Sequence, residues 1–176
     1  MTFTETELKG VWLVSPEPAA DDRGFFARTW CEREFAAHGL TARWVQCNLS
    51  FNRRRGTLRG LHYQRAPHEE TKLVRCTMGA IYDVVLDLRR DSATFRKHVA
   101  VELSASNRQM LYIPEGCAHG FQTLVDDTEV FYQMSAFYAP DHAAGVRWDD
   151  PAFGISWPVS DPILSGRDRR FPSFEE

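Results

Sequence analysis

The sequence predicts an all-β protein folded as a double-sheet jelly roll. Apolar residues recur in short runs of strand length, and β-branched and aromatic residues are concentrated in these runs. Glycine, proline, asparagine and aspartate separate the runs at a spacing that is typical of two packed sheets of short strands. With 176 residues, of which 43% are hydrophobic and 26% charged, the chain is expected to form one domain over residues 1–176, with short peripheral helices.

The first half of the chain predicts three strands and one helix. The strands are expected over residues 10–15, 25–30 and 44–50, with a turn at 21–24. Residues 31–38 predict a helix of about two turns, and Gly39 suits the position after its C-terminus. In the third strand, alternation places Gln46 and Asn48 on the same face.

The second half predicts further strands and a loosely structured end. The strands are expected over residues 72–77, 80–88, 98–103, 109–113, 119–125 and 129–138. Met78-Gly79 is a turn signal, so the two strands beside it are expected to pair as a β-hairpin. One face of the last strand carries four side chains: Tyr132, Met134, Ala136 and Tyr138. Beyond Pro140, short turns and helix are expected to wrap over the sheets.

Composition and charge exclude several classes of protein. A formal net charge of −3 argues against a nucleic-acid-binding protein, which usually carries a positive face. No apolar run approaches the ~20 residues of a membrane helix, and the polar, acidic N-terminus does not resemble a signal peptide. The four cysteines are widely spaced without a Cys-x-x-Cys pair, so we expect a cytoplasmic protein with free thiols and no zinc site.

Residues 56–74 have the composition of a binding site rather than of a core strand. The stretch contains two histidines, two arginines, one lysine and two glycines. Charged side chains are seldom buried in a core, and guanidinium groups suit phosphate or carboxylate oxygens. The stretch therefore predicts a site for an anionic ligand.

A set of motifs extends this site over nearly the whole chain. They are residues 22–26 (Asp-Arg-Gly-Phe-Phe), Gln46 with Asn48, 58–64 (Leu-Arg-Gly-Leu-His-Tyr-Gln), 72–74 (Lys-Leu-Val), 113–116, 118–121, Tyr132, 138–140, and 163–165 with Asp168. In order and spacing the set resembles the dTDP-4-dehydrorhamnose 3,5-epimerase family, which makes the deoxysugar precursor of rhamnose. The resemblance implies a jelly roll of the cupin type, a homodimer, and no metal or other cofactor. It also implies epimerisation at C3, C5 or both of a nucleoside-diphosphate 4-keto-6-deoxyhexose.

The implied chemistry needs a base, an oxyanion partner and an acid. His62 is the expected base, since an imidazole that titrates near neutral pH transfers protons efficiently in both directions, and Asp168 is its expected carboxylate partner. Lys72 is expected to supply positive charge where the enolate oxygen forms, and Tyr132 to act as the acid on the opposite face. Without the resemblance, each would be interpreted as an ordinary strand or turn residue. His68 matches no motif and is expected to be solvated.

Arg23 and Arg59 are the expected pyrophosphate ligands, because a guanidinium fork bonds two oxygens at once. Strict strand alternation, however, puts Arg59 on the face opposite His62. Either Gly60 marks a bulge that brings both side chains into one pocket, or Arg59 serves the neighbouring subunit.

Asp83 and Asp87 share one face of their strand with apolar residues, and a carboxylate in such a place needs a partner. His119 is the expected partner of Asp83. The pair would hold the sugar or tune the site, or else form a structural hydrogen bond.

Further substrate contacts are expected from Gln46 and Asn48, and from Phe26 and Tyr138 as stacking partners of the nucleobase. Arg28 departs from the family pattern, which commonly has a glutamate there near the nucleobase. A carboxylate accepts the N–H of thymine and an arginine does not. Arg28 would therefore point away or bind cytosine, and the nucleotide is open between dTDP and CDP.

Other functions stay open at this level. A metal-dependent cupin oxygenase or isomerase would use His62 and His119, but such sites usually carry His-x-His in one strand, and the residue two beyond His62 is Gln64. A sugar-nucleotide-binding protein without catalysis predicts loss of the base or the acid, and both are present. Among enzymes, the runner-up is epimerisation at one carbon only.

Overall fold

The computed structural model describes residues 1–41 and 43–174 and confirms the all-β, double-sheet prediction. In chain order, its elements are β1 (Thr2–Glu5), β2 (Trp12–Ser15), β3 (Ala19–Asp21), β4 (Gly24–Phe26), α1 (Glu32–Ala37), β5 (Gln46–Asn52), β6 (Leu58–Gln64), β7 (Lys72–Met78), β8 (Ala80–Asp87), β9 (His98–Ser104), β10 (Met110–Ile113), β11 (Cys117–Thr123), β12 (Thr128–Met134), a 3₁₀ helix (Pro140–His142), β13 (Ala143–Gly145) and a second 3₁₀ helix (Asp168–Arg170).

The strands form two large antiparallel sheets. The six-stranded sheet has the order β1-β2-β10-β7-β12-β5, and the five-stranded sheet has the order β13-β6-β11-β8-β9. Strands β3 and β4 form a separate two-stranded ribbon, joined at the predicted turn. Because most neighbours within each sheet are not consecutive in the chain, the chain crosses repeatedly between the sheets, as a jelly roll requires.

The main core lies between the two sheets. Val74 and Val130 project from the six-stranded sheet and pack with Ile81, Val85 and Phe121 of the five-stranded sheet. The strand alternation that buries these residues sends the intervening ones to the outer faces. Removal of this apolar surface from water is the main force that holds the sheets together.

Peripheral segments cover the outer faces of both sheets. Phe35 of α1 packs against Leu73 and Met110 on the outside of the six-stranded sheet. Phe153, from the C-terminal segment, packs against Leu86 on the outside of the five-stranded sheet. The predictions of a helix near residues 31–38 and of a C-terminal segment wrapped over the sheets are both confirmed.

The hairpin predicted at Met78-Gly79 is wrong. β7 belongs to the six-stranded sheet and β8 to the five-stranded sheet, so Gly79, at φ +77°, carries the chain from one sheet to the other. Cys76 and Ile81 on either side of the turn share the core between the sheets. A short glycine turn suits both arrangements, and here the two strands bury apolar faces against each other instead of pairing edge to edge.

Several predicted strand ends also change. The strand expected at 25–30 ends at Phe26, and the one expected at 129–138 ends at Met134, so Ala136 and Tyr138 lie beyond it. β1, β3 and β13, each three or four residues long, were not predicted. In the described part of the chain, no helix has the length and apolar character that a membrane crossing needs.

Asp87 finds the partners that its buried position requires. It is fully buried and accepts hydrogen bonds from the Arg89 guanidinium and from the hydroxyls of Ser92 and Thr94. Burial opposes its ionisation, but these donors outweigh it and lower the pKa of Asp87 to about 2. The cluster anchors the loop after β8.

Candidate active site

A cavity of about 520 Å³ opens between the two sheets, and its volume suits a small-molecule ligand. Its walls come from β5, β7 and β12 of one sheet and from β6, β11 and β13 of the other. Eight of the predicted site residues line it: Gln46, Asn48, Arg59, His62, Lys72, His119, Tyr132 and Tyr138. The fold therefore brings together side chains that lie up to 92 positions apart in the sequence.

His62 and Asp168 form the predicted pair. Nε2 of His62 lies 2.7 Å from Oδ1 of Asp168, although 106 positions separate them. The carboxylate side chain is 5% exposed and the imidazole 38%. Because the ionised carboxylate can only accept, Nε2 carries the proton, and Nδ1 of the neutral ring is left as an acceptor. The ring also contacts Phe171 edge to face.

The surroundings of Asp168 keep it ionised. Burial alone would raise the pKa of Asp168, but the hydrogen bond and charge of His62 oppose this, together with hydrogen bonds from Ser165 and from the backbone N–H of Gly60, and the net shift is downward. An ionised carboxylate fixes the tautomer of the ring and stabilises the imidazolium that forms when the ring takes up a proton.

A β-bulge brings Arg59 into the same cavity as His62. On β11, His119 is the register partner of His62 and Phe121 that of Arg59, so three steps along β6 face two along β11. Gly60 adopts φ +127°, and a Cβ there would lie 2.5 Å from the Cα of Gly120. Of the two alternatives for Arg59, the bulge is the one found, because its side chain lines this chain's own cavity.

Arg59 is held in place by a buried amide. Its Nε donates to Oδ1 of Asn52 at 2.7 Å, and Asn52 is 2% exposed. The Nδ2 of Asn52 is in turn bonded to the backbone oxygens of Ser50 and Thr128 at 3.2 and 3.1 Å. The guanidinium is therefore a fixed cation beside the cavity.

Lys72 and Tyr132 face His62 from the opposite sheet. Lys72, the first residue of β7, is 7% exposed, and its Nζ lies 2.8 Å from Oε1 of Glu70 and 3.4 Å from the backbone oxygen of His62. Burial raises the pKa of Tyr132; Arg59 opposes this, and the charge of Glu70 adds to it. The phenol therefore keeps its proton and can act as an acid.

His119 and Asp83 form a second buried pair. Nε2 of His119 lies 2.8 Å from Oδ1 of Asp83, and the two residues are 8% and 0% exposed. As at His62, the carboxylate faces Nε2, which leaves Nδ1 as the acceptor of the neutral ring. Within residues 1–41 and 43–174, no group of three or more His, Cys, Asp and Glu side chains is placed to hold a metal ion.

Gln46, Asn48 and Tyr138 form one edge of the cavity. Nε2 of Gln46 donates to Oδ1 of Asn48 at 3.0 Å, and Oε1 of Gln46 accepts from the backbone N–H of Tyr138 at 3.0 Å. The two amides thus share one face of β5, as predicted. Although Tyr138 lies beyond the end of β12, this bond holds its segment at the site.

Three predicted binding residues lie away from the cavity. Arg23 is paired with Asp21 at 2.6 Å and is 90% exposed, and Phe26 on the same ribbon is 79% exposed. Arg28 is paired with Glu34 at 2.7 Å. Their contacts with substrate stay predictions.

Some residues of the cavity were not predicted. The sequence reasoning missed Tyr63, Gln64, Glu70, Phe121 and Arg167, all of which line it. The position of Glu70 could have predicted its place in the cavity, because residues two apart in an extended chain point to the same side and Glu70 lies two positions before Lys72. His68, in contrast, is exposed as expected.

The cavity has a histidine–carboxylate pair on one wall and a lysine and a tyrosine on the other. Together with the jelly-roll fold, this arrangement is that of an isomerase of the epimerase type. A family model for dTDP-4-dehydrorhamnose 3,5-epimerase matches residues 5–176. The chain belongs to the dTDP-4-dehydrorhamnose 3,5-epimerase family, and the predicted resemblance is confirmed.

Individual relatives agree over the full length. The chain is 43% identical to the dTDP-4-dehydrorhamnose 3,5-epimerase of Shigella flexneri, over 96% of this chain and 93% of that protein. It is 44% identical to the epimerase of Methanothermobacter thermautotrophicus, over 99% and 95%. A crystal structure of the Bacillus anthracis enzyme with TDP and PPi bound is 43% identical, with a TM-score of 0.96 over 98% of this chain and 99% of that one.

Proposed function

We propose that the protein epimerises dTDP-4-dehydro-6-deoxyglucose at C3 and C5 to dTDP-4-dehydrorhamnose. The observation that carries the proposal is the placement of base and acid: His62 enters the cavity from the five-stranded sheet and Tyr132 from the six-stranded sheet. A carbon is inverted when a proton leaves one face and another is delivered to the opposite face. A base and an acid on facing walls are therefore what an epimerase requires.

In the proposed mechanism, Nδ1 of His62 takes the proton from the carbon beside the ketone. The C–H electron pair moves into the C–C bond and the ketone oxygen becomes an enolate, which the Lys72 ammonium stabilises. Asp168 stabilises the imidazolium through Nε2. The Tyr132 phenol then donates a proton to the opposite face of the same carbon. Before the second carbon reacts, the imidazolium of His62 releases its proton to solvent and the phenolate of Tyr132 takes one up. The same groups then act on that carbon after the ring has turned in the cavity.

Solvent deuterium exchange, followed by NMR, tests this proposal. The wild-type enzyme should incorporate deuterium at both C3 and C5 of the substrate, and His62→Ala should abolish exchange at both. Incorporation at one carbon only would identify a single-carbon epimerase. Exchange that persists in His62→Ala would remove His62 as the base.

We propose dTDP as the nucleotide. Arg28, the residue that raised the possibility of CDP, is paired with Glu34 of its own chain at 2.7 Å, so its guanidinium is already engaged by a carboxylate rather than offered to the acceptor edge of cytosine. Turnover of dTDP- and CDP-linked 4-keto-6-deoxyglucose should be compared at equal concentration. Preference for the CDP sugar would reverse this assignment.

We also propose that the enzyme is a homodimer in which the β3–β4 ribbon reaches the neighbouring site. The outer side of the edge strand β5 carries the apolar Leu49 and Phe51, which are 61% and 46% exposed, and an exposed apolar face of this kind is typical of an interface. Contact with substrate from the ribbon's Arg23 and Phe26 then requires a second copy. Light scattering should give twice the 20.2 kDa chain mass. His62→Ala and Arg23→Ala should each be inactive alone, but a mixture of the two should regain activity, because mixed dimers hold one site with both residues intact. A monomeric protein, or a mixture that stays inactive, would refute a site shared between subunits.

We place the enzyme in the cytoplasm. All four cysteines are free thiols, including Cys47, which is exposed. A protein of an oxidising compartment would more often pair them. Fractionation of cells that express a tagged chain should recover it with cytoplasmic markers, and recovery with periplasmic or membrane markers would contradict this placement.

A further inference from the structure

Glu70 is a buried carboxylate in the cavity wall that the proposed reaction does not use. It is 7% exposed and lines the cavity together with Lys72 and Tyr132. Its Oε1 lies 2.8 Å from Nζ of Lys72, whereas its Oε2 is buried and has no hydrogen-bond partner among the described residues. A buried ion pair is weak evidence for stability because its desolvation is costly. In a binding site, such a pair indicates a functional role.

The local backbone fixes the direction of this pair. The N–H of Thr71 donates to Oγ of Ser135 at 2.8 Å, and the N–H of Ser135 donates to the carbonyl of Thr71 at 3.0 Å. Glu70 and Lys72 flank the bonded residue and point to the same side, into the cavity. Nζ of Lys72 also approaches the backbone oxygen of His62 at 3.4 Å. The ammonium is thus held between a carboxylate of its own wall and the backbone of the opposite wall.

Building on the proposed function, we infer that Glu70 is a positioning residue of the epimerase that holds the Lys72 ammonium where the enolate oxygen forms. A lysine side chain is flexible and loses its rotamer freedom only if a partner fixes it. A cation fixed before the reaction stabilises developing negative charge without reorganising during the step. Glu70 acts through Lys72 and needs no contact with the sugar.

The charge of Glu70 also acts on the proposed acid. The charged and titratable groups that share the cavity with Tyr132 are Arg59, His62, Tyr63, Glu70, Lys72, His119, Tyr138 and Arg167. Burial is the main reason that the pKa of Tyr132 is raised; Arg59 opposes the shift, and Glu70 contributes to it. Because only the protonated phenol is an acid, loss of the Glu70 charge should move the alkaline limb of the kcat–pH profile to lower pH.

Two substitutions separate the position of Glu70 from its charge. Glu70→Ala removes the anchor of Lys72, so kcat should fall by about 10- to 100-fold, with KM within about threefold because uniform substrate binding is unchanged. Glu70→Gln keeps an oxygen that can accept from Lys72, so it should retain most of kcat near neutral pH but show the shifted alkaline limb. Glu69→Gln is the matched control, since Glu69 does not line the cavity, and it should behave as wild type.

A kinetic cycle with Lys72→Met tests whether Glu70 acts through the lysine. In the Lys72→Met background, Glu70→Ala should cost less than about a further threefold in kcat, because the group that it positions is already gone. Independent, multiplicative losses in the double variant would overturn the inference. So would a Glu70→Ala enzyme with the kcat and pH profile of wild type.

The two proposals fail separately in these experiments. If wild-type enzyme gives no exchange at C3 or C5, the proposed function fails. If the wild type exchanges and the Glu70 variants match it, only the positioning role fails. Should Glu70→Ala not fold, as circular dichroism would show, Glu70→Asp tests the position and Glu70→Gln the charge. The shorter aspartate should lower kcat; a wild-type kcat in Glu70→Asp would overturn the positioning role, and an unmoved alkaline limb in Glu70→Gln would overturn the role of the charge.

Discussion

Replacement of Asp168 by asparagine tests how the geometry of the histidine–carboxylate pair produces catalysis. The carboxylate faces two donors, Nε2 of His62 at 2.7 Å and the backbone N–H of Gly60, and it also bonds Ser165. An amide of the same size offers only one acceptor oxygen. If that oxygen stays with the backbone, the new NH₂ group donates to Nε2 and forces the ring proton onto Nδ1, which is the nitrogen that must act as the base.

The size of the effect follows from these contacts. A hydrogen bond to a charged group contributes about 1.5–3 kcal/mol, so loss of imidazolium stabilisation alone slows proton abstraction by roughly 10- to 150-fold. The wrong tautomer slows it further, and a combined loss of about 10²- to 10⁴-fold in kcat is expected for Asp168→Asn. KM should change little, because the carboxylate stands behind the imidazole.

The assay is the initial rate of deuterium incorporation at C3 and C5 with saturating substrate. Asp150→Asn is a matched control, since Asp150 is also a buried carboxylate that accepts backbone N–H bonds from Ala152 and Phe174, but it does not line the cavity. Asp150→Asn should lower stability without slowing exchange. A folded Asp168→Asn enzyme that keeps more than half of the wild-type rate would refute the assigned role of the pair.

Three further predictions concern other parts of the molecule. Asp87→Asn should lower the free energy of unfolding by about 2 kcal/mol at pH 7, because the folded-state pKa of Asp87 is lowered to about 2. Urea titrations should show this difference shrinking as the pH falls from about 5 towards about 2. A difference that grows in acid would contradict the prediction. In steady-state kinetics, Asn52→Ala should raise KM by about tenfold, because the hydrogen bond that fixes Arg59 is lost, and kcat should be nearly unchanged. A fall in kcat at constant KM would show that Arg59 does more than bind substrate. Alkylation of the native protein at pH 8 should label the exposed Cys47 and leave Cys117 unlabelled, because burial raises the pKa of Cys117 to about 12. Equal labelling of the two thiols in mass spectrometry would show that Cys117 is accessible.

The strands were predictable where apolar alternation was long enough to be visible. β7, β8, β9 and β11 each have seven or eight residues, and their positions followed from short-range pattern. β1, β3 and β13 have only three or four residues, too few for alternation to be visible, and β13 also depends on pairing with the distant β6. The failed hairpin at Gly79 has the same origin, since a local turn signal does not say which sheet the next strand joins.

At the site, residue type predicted the chemistry and the fold decided the partners. His62, Lys72 and Tyr132 are predicted as base, cation and acid from motifs that resemble the family. Gly60 signalled a bulge that would place Arg59 beside His62, but local sequence left this open against a role in the neighbouring subunit, because the bulge depends on pairing with β11. Glu70 was missed for a related reason: its role becomes visible only when its carboxylate is seen buried against Lys72.

The sequence by itself determined the all-β class and the family, and it predicted the groups that are proposed to take, hold and return a proton. These are properties of residue types and of spacing along the chain. The resemblance also predicted that Asp168 pairs with His62 and that Tyr132 lies opposite it. Only the tertiary structure decided that a bulge at Gly60 brings Arg59 into their cavity and that the Glu70 carboxylate contacts Lys72. Both features depend on strands that lie far apart in the chain, since β6 pairs with β11 and Thr71, between Glu70 and Lys72, bonds Ser135. These pairings form only as burial of the core brings the two sheets together.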